Sequence, residues 1–424
     1  MIKIKEILLR QKQEIEEKLK QQYIHRQIKP ISFNNQLINI IIGPRRCGKS
    51  FLGFHLFNTE KERPFAFLNF DDEIAVDVKD YDLLLAEMNH VYGTTKTILF
   101  DEIQNLNRWE LFLNRLQREG VNLVITGSNA HLLSSELATH LTGRHIQVVL
   151  FTFSFAEYLE ALKVTENIKE PYIKSAFDRY LTDGGYPEPL MTNVNRKDYL
   201  TTLFQATIYK DIVRRRMISA SGIIEDLARY LISNTGTEYS YRTLLRIIAC
   251  KSDRTAKKYV SMLEEAFLLF SVPKFSFKIR EQVAANKKIY CIDNGLINTI
   301  GFSLSPGTGR LAENAVAICL HKKELEGSIR LFFWKNQKHE EVDFVLVKNL
   351  SVHLLIQVCW SLDNPKTWNR ETRALLKASK ELTCKNLLIL TEDKEDSDQI
   401  TWSGITETVR FLPLWKWLLD QGEV

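Results

Sequence analysis

The segment Leu37–Phe57, LINIIIGPRRCGKSFLGFHLF, constrains this chain more than any other stretch. Leu37–Ile42 is a short, mostly apolar run, the pattern of a strand buried on both faces of a parallel sheet. Gly43, Pro44, Arg45, Arg46, Cys47, Gly48, Lys49 and Ser50 follow it and fill every fixed position of GxxxxGK[ST]. From Ser50 onward the pattern is helical. Strand, glycine turn and helix in this order expose successive backbone N–H groups at a helix N-terminus, which together wrap a polyphosphate. In such a loop Lys49 is expected to reach the β- and γ-phosphates, and the Ser50 hydroxyl to bind Mg²⁺. The loop residues as a whole are the expected ATP-binding set.

TILFDEIQ, residues 97–104, adds a second part. Its apolar strand delivers Asp101 and Glu102 at its C-terminal end, where open α/β sheets place their chemistry. Asp101 is expected to hold Mg²⁺ through water, and Glu102 to orient and polarise the attacking water. A third strand, NLVITGSN (122–129), ends in Ser128 and Asn129, one of which is expected at the γ-phosphate or the attacking water. LTGR (141–144) then leads into the strand HIQVVLFTF. Arg144 lies at a corner that faces the neighbour's nucleotide in ring-forming or dimerising ATPases. It is therefore expected to act in trans, as an arginine finger within a homo-oligomer. Before the loop, residues 4–24 carry apolar positions at helical spacing and are expected to pack on the core.

GPRRCGKS, FDDE, LFDEIQN, ITGSN, LTGR and FTFSFAEYL together resemble prokaryotic AAA-superfamily ATPases that carry a C-terminal domain of unknown function with a restriction-endonuclease-like fold. The resemblance continues through YLTDGGYPE, YKDIVRR, KIYCIDNGL, GRLAENAVA and EVDFVL, so it covers nearly the whole chain. It implies ATP hydrolysis and leaves the biological role open.

Net charge is +5, and its distribution is uneven. Residues 205–290 hold sixteen Lys/Arg against eight Asp/Glu, whereas the rest of the chain is net −3. A concentrated basic stretch points to a polyanionic partner. Within it, Ser240 is expected to cap a short helix, followed by a turn at Cys250–Asp253. A longer helix then puts Ala256, Tyr259, Val260, Leu263 and Phe267 on one face. Arg254, Lys257 and Lys258 lie off that stripe, on the first turns. With LLFSVPKFSFK as a β-wing, this outlines a winged helix-turn-helix with basic residues where phosphate or base contacts are made. A module of this outline serves equally as a protein-contact element.

From Arg330 three strands form a meander, LFFW, EVDFVLV and LLIQVCW. Glu313 on the preceding helix, Asp343 in mid-strand and Gln357 reproduce most of the endonuclease-like site, in which carboxylates hold Mg²⁺. The lysine of that site is replaced by Cys359. A thiol brings no positive charge to an attacked phosphate, so the site is expected to be vestigial, with Lys366 and Arg370 the nearest substitutes in sequence.

The six cysteines are scattered without a CxxC pair, and no apolar run approaches the length of a membrane span. The chain reads as soluble and cytoplasmic, without a membrane partner. The expected fold class is α/β: a parallel-sheet P-loop AAA-type core, a helical and winged-helix region, and an endonuclease-like α/β domain. The expected division is an N-terminal helix at 1–29, the ATPase core at 30–160, helical lid and winged helix at 161–275, and the last domain at 285–424. The leading functional expectation is an ATPase that couples its nucleotide cycle to binding of DNA or another nucleic acid. The rivals are a regulatory switch acting through protein contacts and an ATP-dependent nuclease.

Overall fold

The computed structural model describes residues 2–31, 37–58, 64–128, 144–164, 169–218, 221–248, 252–302, 307–362, 364–420 and 422. It divides into two compact units, Met1–Thr152 and Phe153–Val424.

The first unit is built on five parallel strands: β1 (Ile38–Ile42), β2 (Ala66–Asn69), β3 (Thr97–Asp101), β4 (Asn122–Gly127) and β5 (His145–Val149), in the order β2-β3-β4-β1-β5. Every residue of β1 and β3 is buried, which explains why both read as apolar runs rather than alternating ones. The register pairs Ile42 with Gly127 and Phe100 with Ile125, so the C-terminal ends of β1, β3 and β4 line up along one edge. Helix α2 (Lys49–Asn58) buries Leu52, Phe54 and Phe57 on the sheet against Phe67, Leu99 and Val124.

Helix α1 (Ile2–Lys18) belongs to this unit and is not a separate piece. It buries Ile7, Leu8 and Ile15. Gln11 between them pairs with the edge strand β2 as a strand would. Its amide donates to Asn69 O at 3.3 Å, and its carbonyl accepts from Asn69 N at 2.9 Å. One side chain thereby satisfies backbone groups that an open sheet edge leaves unpaired. The helix ends sooner than the 4–24 pattern predicts, and residues 22–31 run on without regular structure.

The second unit begins with helices and a π-helical segment, Thr207–Arg214. Then come α3 (Ser221–Ser233), β6 (Glu238–Tyr239), α4 (Tyr241–Ile248), α5 (Asp253–Glu265), β7 (Leu269–Pro273) and β8 (Lys287–Cys291). These strands form an antiparallel sheet in the order β6-β8-β7. The division expected between 275 and 285 falls inside this sheet, because β8 is its central strand.

A six-stranded mixed sheet follows: β9 (Arg330–Lys335), β10 (Glu341–Lys348), β11 (Ser351–Val358), β12 (Leu387–Thr391), β13 (Asp396–Trp402) and β14 (Ile405–Pro413), ordered β13-β14-β12-β11-β10-β9. The predicted β9–β10–β11 meander is present and antiparallel. Helix α6 (Thr308–Leu325) precedes it, and α7 (Pro365–Leu382) crosses from β11 to the parallel β12. Phe275 N donates to Phe333 O at 2.7 Å, stitching the small sheet to the edge of the large one.

Candidate active site

The loop after β1 folds tightly against the end of β5. A Cβ placed on Gly43 would lie 1.8 Å from Leu150 O, so no larger residue fits there. Gly48 has φ +100, in the region glycine favours, and Arg46 adopts a left-handed φ of 64. Cys47 is fully buried, and its Sγ donates to Leu150 O at 3.2 Å. Burial pushes its thiol up. Lys49 is buried too, its Nζ donating to Gly43 O at 3.1 Å and Pro44 O at 2.9 Å. Arg45 lies 3.9 Å from Asp71 of the FDDE run.

The aligned strand ends bring the acidic residues to this loop. Ser50 Oγ donates to Asp101 Oδ2 at 2.8 Å, and Thr126 Oγ1 donates to the other oxygen of the same carboxylate. Asp101 is buried. Burial and the Glu102 charge push its carboxyl above the ordinary range, against the pull of Thr126 and Ser50. Glu102 has a left-handed backbone, φ 50 and ψ 43, at the start of a short 3₁₀ turn. Its Oε2 accepts from Ser128 Oγ at 3.1 Å and from Gln104. A non-glycine residue held in that conformation beside a phosphate loop stores about 1–3 kcal/mol of strain, a common mark of a working residue. The Ser50–Asp101 pair offers a hydroxyl and a carboxylate to one point, which suits Mg²⁺ with its preference for few protein oxygens plus water and phosphate.

Two further residues act here that sequence reasoning missed. Thr126 is fully buried and reads in sequence as an ordinary strand residue. Its hydroxyl donates to Asp101 and also accepts from Glu102 N at 3.3 Å. Arg26 spans the loop from behind, donating to Cys47 O at 2.7 Å and Phe151 O at 2.6 Å. It comes from the irregular stretch before β1, where no spacing rule marks it.

Asn129 and residues 141–143 lie outside the described residues. Arg144 is exposed just before β5, and its carbonyl accepts from Ile38 N at 3.0 Å. Because β5 runs parallel to β1, Arg144 sits at the sheet edge opposite the loop, about 16 Å away along a strand. It is out of reach of its own loop.

In the second unit, Ser240 caps α4 by accepting from Thr243 N at 3.1 Å, as expected. Ser252 caps α5, accepting from Thr255 N at 3.3 Å. Arg254, Lys257 and Lys258 are exposed on the first turns of α5, while Ala256, Val260 and Leu263 are buried. The expected turn at 250–253 lies partly outside the described residues.

Glu313 and Asp343 do meet, but at a lysine, with Glu341 rather than Gln357 as the third group on it. Lys288, from β8, is 2% exposed. Its Nζ lies 3.0 Å from Glu313 Oε1, 3.1 Å from Asp343 Oδ1 and 2.5 Å from Glu341 Oε1. Burial pulls this ammonium down, yet Glu313, Tyr290, Asp343 and Glu341 together raise it well above the ordinary lysine value. Tyr290 OH donates to Glu313 Oε1 at 2.7 Å, and Val358 N donates to Asp343 Oδ2 at 3.0 Å. Gln357 turns its Nε2 to Glu371 Oε2 at 2.7 Å. Cys359 is buried in the apolar core with Leu355 and Ala374, and burial pushes its thiol up to about 12. Lys366 is exposed and Arg370 is paired with Glu371, so neither of the two nearest candidates in sequence enters the cluster.

Residues 35–159 match an AAA domain, and residues 174–306 match a domain of unknown function, DUF8612. The second match runs past β8 and so takes in the three-stranded sheet whole. The chain is 31% identical over 403 residues to the uncharacterized protein MJ1544 of Methanocaldococcus jannaschii, covering 90% of this chain and 88% of that one. It is 28% identical over 344 residues to an uncharacterized protein of Haemophilus influenzae, covering 78% and 84%. Among solved structures, AMPPCP-bound DnaA from Aquifex aeolicus is 15% identical and covers 55% of this chain and 84% of its own, at a TM-score of 0.29.

Proposed function

This chain belongs to the family of AAA-domain proteins that includes MJ1544, and on that footing we propose that it is a Mg²⁺-dependent ATPase whose nucleotide cycle is coupled to nucleic-acid binding by its second unit. The observation that carries the reading is the convergence of Lys49, Ser50, Asp101 and Glu102 at one end of a parallel sheet. Lys49 exchanges its two loop carbonyls for the β- and γ-phosphates. Ser50 and Asp101 would hold Mg²⁺, which neutralises phosphate charge when bound. Glu102, steadied by Ser128 and Gln104, orients water for attack at the γ-phosphate. Arg144 serves the site of another copy.

The order α3-β6-α4-α5-β7-β8 supports the winged helix-turn-helix reading, in which α5 is the recognition helix and Arg254, Lys257 and Lys258 meet phosphate. A second reading, a switch that signals through protein contacts, draws support from the segment between β7 and β8. Phe277, Ile279 and Val283 there are 74–78% exposed.

Phosphate release measured with and without single-stranded DNA, duplex DNA and RNA, across a salt series, separates the two. The nucleic-acid reading expects stimulation that falls steeply with salt, because phosphate contacts release counterions. Hydrolysis indifferent to every nucleic acid leaves the protein switch, and no hydrolysis under any condition removes the ATPase reading.

A further inference from the structure

The endonuclease-like arrangement implies a divalent cation between Glu313 and Asp343, and the residues present do not fit one. The point those carboxylates share is filled by the Lys288 ammonium, which adds a third carboxylate, Glu341, as its partner. Gln357, the third ligand position, brings no charge, and both ends of its amide are engaged elsewhere: Oε1 accepts from Asp343 N at 3.3 Å and Nε2 donates to Glu371 Oε2 at 2.7 Å. Among the described residues no group of three or more His, Cys, Asp or Glu is arranged to hold a metal ion. Lys288 is not a relocated catalytic lysine either. Its amine is buried and directed at carboxylates, whereas a lysine that meets an attacked phosphate has to be open to a polynucleotide.

We infer that Lys288 is the resident cation of this cluster, holding by position and charge the place of a divalent ion, so that the C-terminal part of the second unit folds without metal. Three buried or half-buried carboxylates need positive charge in a medium that water does not screen. A divalent ion supplies that charge only while it is bound. A lysine on the adjoining sheet supplies it permanently, and it ties β8 to α6 and β10 through one side chain. Lys335 extends the tie, pairing with Glu341 at 3.2 Å and with Glu238 of β6. What the arrangement gives up is hydrolysis: no open metal-bound water is available to attack a phosphodiester.

The test uses the full-length protein without nucleotide, which keeps it independent of the ATPase reading. Mn²⁺ binding is followed by electron paramagnetic resonance, and thermal unfolding is recorded in EDTA and in Mn²⁺. Wild type is expected to bind the same amount of Mn²⁺ as Asp343→Asn and to unfold at the same temperature in either medium. Lys288→Met removes the charge and keeps the length of the side chain. It is expected to lower the unfolding midpoint by roughly 10 °C, to gain one Mn²⁺ site, and to recover stability when Mn²⁺ is added. Lys288→Met/Asp343→Asn should lose that gained site. If Lys288→Met does not fold, adding Asp343→Asn and Glu341→Gln should restore folding, since the defect is unpaired negative charge. A wild-type Mn²⁺ site that disappears in Asp343→Asn overturns the inference. So does a Lys288→Met protein that is as stable as wild type, or a triple variant that still fails to fold.

Discussion

The Lys49 ammonium donates to two carbonyls of its own loop, Gly43 O and Pro44 O. In the proposed reading, nucleotide replaces these two neutral acceptors with anionic ones, and that difference is the gain in binding. Lys49→Ala removes it and should weaken ATP binding roughly hundredfold or more, measured by calorimetry. Glu102 lies one step further on, tied to Ser128 and Gln104, with no bond to the loop lysine among those the structure gives it. Glu102→Gln should therefore keep ATP affinity and lower turnover by about 10²- to 10³-fold. Parallel loss of affinity and turnover in Glu102→Gln would move that residue from water activation to ligand binding.

Helix α5 separates packing from charge by position alone. Ala256, Val260 and Leu263 are buried, while Arg254, Lys257 and Lys258 face solvent from the first two turns. Reversing the three to glutamate removes nothing from the core. The helical signal in circular dichroism should stay as it is, and DNA affinity should fall. The slope of log affinity against log salt should flatten by about 2–3, near 0.9 per lost phosphate contact. An unchanged slope would make α5 a packing helix with a solvated face.

On the scale of the whole molecule, the nucleotide loop and Arg144 occupy opposite edges of one parallel sheet. No movement short of unfolding the strand brings them together within a copy. Arg144→Ala should accordingly retain ATP affinity and lose turnover. Mixing it with Glu102→Gln should restore part of the activity, because some composite sites then carry an intact Glu102 and a neighbour's intact Arg144. Absence of complementation between variants shown to exchange subunits would reduce Arg144 to a surface residue.

What the sequence determined by itself is whatever lies within one element or one turn. A glycine-rich loop between a buried strand and a helix has a single workable shape, so residues 43–50 and the Asp101–Glu102 strand end were legible from order and spacing. The stripe on α5 as far as Leu263 and the β9–β10–β11 meander were legible for the same reason, since periods of 3.6 and 2 are local properties. Phe267, expected on the same face, lies past the helix end at Glu265 with a left-handed φ of 52. Tertiary structure alone decided which distant groups meet. Thr126 reaches Asp101 across a strand boundary, Gln11 finds the free edge of β2, and Arg26 crosses the loop from a segment with no periodicity. Lys288 is the clearest case. Sequence reasoning looked for the missing positive charge close to Cys359, whereas the fold supplied it from a strand some seventy residues earlier. A lysine at the head of the apolar IYCI run was the visible signal, as Asp343 was within EVDFVLV. A charge inside a buried strand announces a partner, and only the packing of one sheet against another says who the partner is.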